Sequence, residues 1–220
     1  MVPWQNIETV FLDMDGTLLD LRFDNEFWRE HIPRCYAKKH GLDVQAAKAE
    51  LFPRYRRVEG TIEWYCVDYW SRELALDISA LKRELEHLIA LHPHVLSFLR
   101  ALRGAGKRVF VVTNAHSKSI GLKLARTGLG AGLDGIICAH DLGIPKEHLD
   151  FWARLRAQRA FEPAQTLLID DSLPVLRSAR AYGIAYLLSI FQPDSQGPWC
   201  DGGEFPMLRS FAELLPVLPL

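Results

Sequence analysis

The chain of 220 residues has little of several features that mark particular protein classes. Its four cysteines are Cys35, Cys66, Cys138 and Cys200. Because no two of them form a CxxC pair, we expect free thiols in a reducing, cytoplasmic environment rather than a zinc site. The formal net charge of −1 argues against broad attraction to nucleic acid or to an anionic membrane. No secretory signal and no apolar segment long enough to span a bilayer are visible, so neither export nor membrane insertion is expected.

What the chain does have is the composition and patterning of a globular α/β protein. Apolar residues make up 49% of it and charged residues 24%, which is enough for an ordinary hydrophobic core. Short apolar runs predict strands over residues 9–14, 108–112, 135–139, 166–170 and 184–189. From residue 94 onward these runs alternate with helical patterns, over residues 94–104, 117–127, 146–159 and 173–182. This alternation predicts right-handed crossovers and a doubly wound α/β fold with a parallel sheet.

The interval between the first two predicted strands has helical periodicity and little strand character. It predicts helices over residues 24–40, 44–59, 61–76 and 78–91. Pro33 and Pro53 are expected to kink or break the first two of these helices. We therefore expect residues 1–20 and 93–220 to form the core, and residues 21–92 to form a helical cap inserted after the first strand.

The segment that follows the first predicted strand carries two carboxylates, spaced two residues apart, and then a glycine and a hydroxyl. It reads Asp13-Met14-Asp15-Gly16-Thr17-Leu18-Leu19-Asp20. Ligand sites in open α/β sheets lie at the C-terminal ends of strands. Since an unpaired buried carboxylate is costly, the two acids indicate a site for a divalent cation.

This segment resembles the DxDGT signature of the haloacid dehalogenase (HAD) superfamily, most of whose members are phosphatases. The resemblance covers nearly the whole chain and implies a HAD core with a C1-type helical cap. It also implies Mg²⁺ as cofactor, with Asp13 as the nucleophile and Asp15 as the general acid and base. Further signature residues are then expected at other strand ends.

Thr113 and Asn114 follow the apolar run at residues 109–112. Their hydroxyl and amide groups can donate hydrogen bonds to phosphate oxygens. The resemblance assigns Thr113 to the phosphoryl group of the substrate. The alternative is that Thr113 caps the next helix, although Ser117 is the better predicted N-cap and leaves Thr113 free.

Lys146 follows Pro145 at the start of the predicted helix over residues 146–159. A cation at a helix N-terminus opposes the helix dipole unless an anion lies nearby. The resemblance makes Lys146 the residue that neutralises the nucleophile and the transferring phosphoryl group. The alternative is a solvated surface lysine.

Asp170 and Asp171 follow the predicted strand over residues 166–170. The resemblance makes them carboxylates for Mg²⁺, with Asp171 the direct ligand and Asp170 a second ligand or a supporting partner. The alternative is that the pair caps the following helix. Many relatives carry another acid where this chain has Val175, so the predicted metal site consists of Asp13, Asp15, Asp171 and Asp170. The predicted substrate-binding residues are Gly16, Thr113, Asn114 and Lys146.

The predicted cap is rich in aromatic residues, which can stack on a nucleobase or form the core of the cap itself. Several segments of the chain, in the predicted cap and in the predicted core, resemble bacterial GMP/IMP nucleotidases of the superfamily. The matching segments are 13–21, Phe23-Asp24-Asn25, Phe27-Trp28, Trp64-Tyr65-Cys66, Asp68-Tyr69-Trp70-Ser71, Thr113-Asn114-Ala115-His116, Pro145-Lys146-Glu147 and Pro193-Asp194-Ser195. This resemblance implies 5′-nucleotidase activity on purine monophosphates.

Other activities of the superfamily stay open at this point. They are a phosphatase for sugar phosphates or another small metabolite, and a phosphoglucomutase-like transferase. A dehalogenase would need neither Asp15 nor Mg²⁺, and a non-catalytic phosphate-binding module would be expected to have lost Asp13 or Asp15. We expect the partner to be a small phosphorylated metabolite, and the protein to be a monomer or a weak homo-oligomer.

Overall fold

The computed structural model describes residues 2–219, and these contain a six-stranded parallel sheet. The strands are β1 (Thr9–Leu12), β2 (Arg108–Thr113), β3 (Gly135–Cys138), β4 (Thr166–Asp170), β5 (Tyr186–Ile190) and β6 (Met207–Leu208). Their order in the sheet is β3-β2-β1-β4-β5-β6, and every neighbouring pair is parallel. The predicted doubly wound α/β fold is confirmed. The edge strand β6 was not predicted, because two residues are too short for a recognisable pattern.

Successive side chains of the central strands point to opposite faces of the sheet and enter two hydrophobic clusters. On β1, Val10 and Leu12 enter one cluster, while Phe11 enters the other. Leu167 and Leu168 of β4 divide in the same way. Both faces of the sheet are therefore covered, which explains why its strands read as continuous apolar runs.

Residues 22–84, between β1 and β2, form six α-helices, which we call the cap. They are α1 (Arg22–Glu26), α2 (Ile32–His40), α3 (Val44–Val58), α4 (Ile62–Tyr65), α5 (Val67–Leu74) and α6 (Ile78–Glu84). They pack around a hydrophobic cluster of their own, which includes Phe27, Leu51 and Trp70. A helical insertion after the first strand is thus confirmed, while its exact bounds at residues 21 and 92 stay a prediction.

Two of the predicted cap helices, over residues 24–40 and over residues 61–76, differ from the observed ones for local reasons. The first of these two is continuous from α1 to α2 but contains a π-helical turn at Phe27–His31, just before Pro33. Pro33 lacks an N–H and crowds the preceding turn, and the wider turn accommodates it. The second is broken at Cys66, whose backbone is extended and whose Sγ accepts a hydrogen bond from the N–H of Tyr69 at 3.3 Å. Cys66 is therefore the N-cap of α5.

Five further α-helices accompany the later strands. They are α7 (Val95–Gly104), α8 (Ser117–Thr127), α9 (Ala139–Leu142), α10 (Leu149–Gln158) and α11 (Leu173–Tyr182). Short 3₁₀ turns lie at Trp4–Asn6, Glu86–Leu88, Leu129–Gly132, Pro163–Gln165 and Phe211–Leu214. Across residues 2–219, none of the helices combines the length and the apolar character needed to cross a membrane.

Two histidines set the starts of helices where the sequence predicted other residues. The Nδ1 of His148 accepts a hydrogen bond from the N–H of Asp150 at 3.2 Å, so α10 begins after it rather than at residue 146. The Nδ1 of His116 accepts from the N–H of Lys118 at 3.3 Å, so His116 and not Ser117 is the N-cap of α8. Lys146 consequently lies in a turn, outside any helix.

The strand order places the C-terminal ends of β1, β2 and β4 side by side. From β1 the chain passes through the cap to β2 and β3 on one side, then crosses back to β4 and β5 on the other. This reversal is a topological switch point, where ligands bind in open α/β sheets. Apart from Lys146, the predicted site residues lie at or just after these three strand ends.

Candidate active site

Asp13 follows β1 and is held beside Lys146. The N–H of Asp13 donates to the carbonyl of Ile169 on β4 at 2.9 Å, so its backbone extends the strand pairing. The Nζ of Lys146 lies 2.5 Å from Oδ1 of Asp13 and 2.6 Å from Oδ2 of Asp170. Lys146 is only 2% exposed, so it is not a solvated surface lysine. Its ammonium group partly neutralises the two carboxylates.

Three carboxylates meet at this point, from Asp13, Asp170 and Asp171, with oxygens that all lie within 4.8 Å of one another. Burial raises the pKa of Asp13 to about 7, and the charge of Asp170 adds to this while Lys146 opposes it. Burial, with the charges of Asp13 and Asp170, also raises the pKa of Asp171 well above its usual range. Three acids against one lysine leave an excess of negative charge, which a divalent cation would compensate. Such a set of hard oxygen ligands fits Mg²⁺.

The two neighbouring aspartates of this cluster have different surroundings. Asp170 uses Oδ2 for Lys146 and accepts a hydrogen bond from the N–H of Ser172 at Oδ1, at 2.9 Å. Asp171 lies against Gly16, where an added Cβ would meet Asp171 Oδ2 at 2.5 Å. Gly16 also has a φ of +86°, which side-chain-bearing residues rarely adopt. Gly16 is therefore required for Asp171 to approach, and its contact with substrate stays a prediction.

Thr113 and Asn114 at the end of β2 are both buried, but they are engaged differently. The Oγ1 of Thr113 accepts a hydrogen bond from the N–H of Ala115 at 3.0 Å, and its own hydroxyl proton remains available to donate. The amide of Asn114 accepts from the N–H of Lys146 and donates to Glu147, each at 2.9 Å. Asn114 thus fixes the turn that carries Lys146, and its predicted contact with substrate stays a prediction.

Asp15 lies two residues after Asp13, beyond the end of β1. Its carboxylate pairs with Lys123, whose Nζ is 2.6 Å from Asp15 and 2.6 Å from Asp24. Lys82 of the cap pairs with the other oxygen of Asp24 at 2.9 Å. Burial raises the pKa of Asp15 to about 6 against the opposing charge of Lys123. Although burial opposes it, the ammonium groups of Lys123 and Lys82 hold the pKa of Asp24 below its usual range.

We call Asp15, Lys123, Asp24 and Lys82 the buried charge chain, and its two lysines were not predicted from the sequence. Lys123 is 1% exposed and Lys82 is 4% exposed, which is rare for lysine. The sequence feature that indicates burial of Lys123 is its position on α8, three residues after the buried Ile120 and hence on the apolar face of the helix. The buried charge chain connects the cap to Asp15, the candidate general acid of the core.

Lys123→Met is expected to lower the free energy of unfolding by about 3–5 kcal/mol, because removing one partner leaves buried charges uncompensated. Urea denaturation measures the change. Lys118→Met is the matched control, since Lys118 also lies on α8 and pairs with Asp68 of the cap, at 2.5 Å, but is exposed. Its loss should cost no more than about 1 kcal/mol. Equal effects of the two substitutions would contradict a structural role for the buried charge chain.

A cavity of about 700 Å³ lies above the acidic residues and is lined by both the core and the cap. Its floor includes Asp13, Asp15 and Asp171. Aromatic side chains of the cap line the rest, among them Trp28, Phe52, Tyr55, Trp64 and Tyr65. Other aromatic residues of the cap form its own core, such as Phe27 and Tyr36, which are buried in the cap cluster. Different aromatic residues therefore line the cavity and form the core of the cap, while stacking on a nucleobase stays a prediction.

Contacts from several segments fix the cap over this cavity. The hydroxyl of Tyr65 donates to Glu147 at 2.5 Å, next to Lys146. The amide of Asn25 donates to Asp194 at 2.6 Å. The carbonyl of Pro193 accepts from the N–H of Leu21, at one junction between cap and core. The loop at residues 193–195 thus holds the cap near its first junction.

An aspartate pair after β1, a hydroxyl at the end of β2, further aspartates at the end of β4 and a buried lysine thus meet at one edge of the sheet. Residues 7–183 match the model of the family described as haloacid dehalogenase-like hydrolase. The chain belongs to this family. As a member, this hydrolase is an enzyme, and its parallel sheet with a helical insertion is the family fold.

Individual relatives of the hydrolase have been characterised by name or by structure. It is 39% identical over 217 residues to the GMP/IMP nucleotidase YrfG of Escherichia coli (strain K12), covering 99% of this chain and 98% of that protein. A HAD phosphatase from Thermococcus onnurineus has a TM-score of 0.79 at 21% identity, over 94% of this chain and 96% of the other. CbbY from Rhodobacter sphaeroides, in complex with phosphate, has a TM-score of 0.64 at 21% identity, with the same coverage. The two structures support the fold alone.

Val175 lies four residues after Asp171. It is buried in the hydrophobic cluster on one face of the sheet, although it also borders the cavity. The hydrolase therefore has no carboxylate at this position. Its acidic cluster depends on Asp13, Asp170 and Asp171.

Proposed function

We propose that this hydrolase is a Mg²⁺-dependent phosphomonoesterase that acts through an aspartyl phosphate, with purine nucleoside 5′-monophosphates such as GMP and IMP as substrates. The cavity carries this proposal, because it joins the acidic cluster to the aromatic residues of the cap. Its volume of about 700 Å³ is in the range of small-molecule sites. A phosphate group would lie on the floor and the base would lie against the cap.

The catalytic roles follow from the positions of the side chains. In an in-line displacement, Asp13 attacks phosphorus and becomes phosphorylated, as carboxylates do in covalent phosphoryl transfer. Lys146 balances the charge on Asp13 and on the phosphoryl oxygens, and the Thr113 hydroxyl donates to one of these oxygens. Asp15 protonates the leaving alkoxide and then takes a proton from the water that hydrolyses the aspartyl phosphate.

The residues that would hold Mg²⁺ are the carboxylates of Asp13 and Asp171 and the backbone carbonyl of Asp15. Asp171 is the preferred ligand of the adjacent pair because Asp170 already binds Lys146 and the N–H of Ser172. Asp170 then supports the site as a partner of the lysine. When bound, the cation offsets the negative charge of nucleophile and phosphate, which otherwise repel each other.

The proposed substrate class rests on the cap and on a relative. Trp28, Trp64 and Tyr65 offer aromatic faces in the cavity, and a base stacked on such a face gains roughly 1–3 kcal/mol. Arg29 and Arg56 also border the cavity and can donate to a base or a ribose. The 39% identical Escherichia coli protein is named a GMP/IMP nucleotidase, and it matches across the cap as well as the core.

The four free cysteines support the predicted cytoplasmic location.

A phosphate-release screen tests this proposal, over nucleoside 5′-monophosphates, sugar phosphates and pyridoxal phosphate. We expect the highest kcat/KM for GMP and IMP. Removal of Mg²⁺ with a chelator should reduce the rate by at least about 100-fold, since metal ions supply several kcal/mol of charge stabilisation, and added Mg²⁺ should restore it.

Other results would point to other members of the superfamily. Release from sugar phosphates but not from purine nucleotides would contradict the proposed substrate class while leaving the phosphatase proposal intact. A phosphorylated isomer without free phosphate would indicate a mutase. Full activity in the chelator would contradict the proposed role of the cation.

A further inference from the structure

A second group of potential metal ligands lies outside the acidic cluster. It consists of Cys66 from the link between α4 and α5 of the cap, His116 from the start of α8 and His140 from α9. One ligand atom from each residue lies within 4.8 Å of the other two. Because the chain has no CxxC pair, this group was not expected from the sequence. The three residues are brought together only by the docking of the cap on the core.

His140 has one buried ring nitrogen that no other group satisfies, since its Nε2 has no hydrogen-bond partner in the part of the chain from residue 2 to residue 219. In a neutral imidazole one ring nitrogen carries the proton and the other can bind a metal ion. A buried unpaired acceptor needs such a partner.

His116 and Cys66 are also suited to ligation. The rings of His116 and His140 lie side by side, with centroids 5.0 Å apart and an interplanar angle of 82°. Ligation by His116 through Nε2 requires its proton on Nδ1 and costs the long N-cap bond from Lys118, at 3.3 Å. Cys66 has an extended backbone, and its Sγ accepts a hydrogen bond from the N–H of Tyr69, a bond that a thiolate can also accept. Burial lowers the pKa of both histidines and so favours the neutral form that binds metals.

We propose that Cys66, His116 and His140 form a second cation site, which binds Zn²⁺ and joins the cap to the core. One thiolate and two imidazoles are ligands for a borderline cation and not for Mg²⁺. Tetrahedral Zn²⁺ takes three protein ligands and a water molecule in open sites, with bonds of about 2.0–2.3 Å. The three ligand atoms already lie within 4.8 Å of one another. His116 also lines the candidate active-site cavity, so the ion would lie at its edge.

Co²⁺ is the probe for this site, since a cobalt–thiolate bond gives a charge-transfer absorption that carboxylate ligands do not produce. Titration of the full chain in excess Mg²⁺ is expected to give this absorption with one equivalent of Co²⁺, and Zn²⁺ should abolish it. Cys66→Ser should eliminate the absorption while keeping the fold, because serine also serves as an N-cap for α5. His140→Ala should weaken Co²⁺ binding by at least about 100-fold, since even supporting residues contribute 10–100-fold.

Two other cysteines supply matched controls. Cys35 lies 3.7 Å from His31 in the cap but, among residues 2–219, belongs to no group of three potential metal ligands, and Cys200 is exposed. Cys35→Ser and Cys200→Ser should leave the absorption unchanged. No absorption in the unaltered protein, its persistence in Cys66→Ser, or its loss in either control would overturn the proposal. All these readouts are independent of phosphate release, so they do not depend on the proposed function.

Discussion

Asp13→Asn is expected to reduce phosphate release from GMP by at least about 10⁴-fold, because an amide cannot form the aspartyl phosphate. The loss should appear in kcat, since the aromatic residues and Lys146 that bind the substrate remain. Steady-state phosphate release measures it, and mass spectrometry of the acid-quenched enzyme should detect a phosphorylated Asp13 only in the unaltered protein.

The same substitution should not destabilise the protein. Because burial raises the pKa of Asp13 to about 7, its negative charge is unfavourable in the metal-free fold, and a neutral amide of the same shape removes it. Tm at pH 8 without Mg²⁺ is therefore expected to be unchanged or higher. Asp150→Asn, at an exposed position on α10, is the control and should retain full activity. Substantial turnover by Asp13→Asn would contradict the assignment of the nucleophile.

Asp15→Asn is expected to lower kcat for GMP by about 10²–10⁴-fold, the usual contribution of a positioned acid or base. An asparagine can neither protonate the leaving ribose oxygen nor take a proton from water. The nucleophile is left in place, however, so Asp15→Asn should accumulate the aspartyl phosphate, whereas Asp13→Asn should not.

A substrate with a good leaving group separates the two steps. para-Nitrophenolate departs without a proton, so Asp15→Asn should release about one equivalent of it rapidly and then stall as the aspartyl phosphate. Rapid-mixing absorbance measures this burst. Full turnover of a phosphomonoester by Asp15→Asn would refute the role of Asp15. A variant with neither burst nor turnover would show that the first step needs Asp15 for more than protonation of the leaving group.

Much of the fold could be predicted because the sheet is buried on both faces. Each strand then reads as an uninterrupted apolar run, and the helices over residues 117–127 and 173–182 have the predicted bounds. The errors occur where a side chain bonds to a nearby backbone group. Cys66 interrupts a cap helix and His148 delays the start of α10, in each case by accepting a backbone N–H. Such local bonds compete with the helical pattern and leave no trace in its periodicity.

The candidate site also contains residues that the sequence located and a role that it did not reveal. Asp13, Thr113 and Asp170 could be located in advance because each lies at the end of a recognisable strand. The role of Asn114 could not, since its amide binds the turn that carries Lys146, 32 residues away.

The sequence by itself determined the fold class and the acidic, hydroxyl and amine groups at the strand ends, because parallel strands bring their carboxyl ends to one edge. Only the tertiary structure decided what surrounds those groups. Lys123 pairs with Asp24 of the cap, 99 residues away, and Cys66 of the cap reaches two histidines of the core. The reason is physical: the cap is held over the core by contacts between distant residues, and no local spacing encodes such a contact.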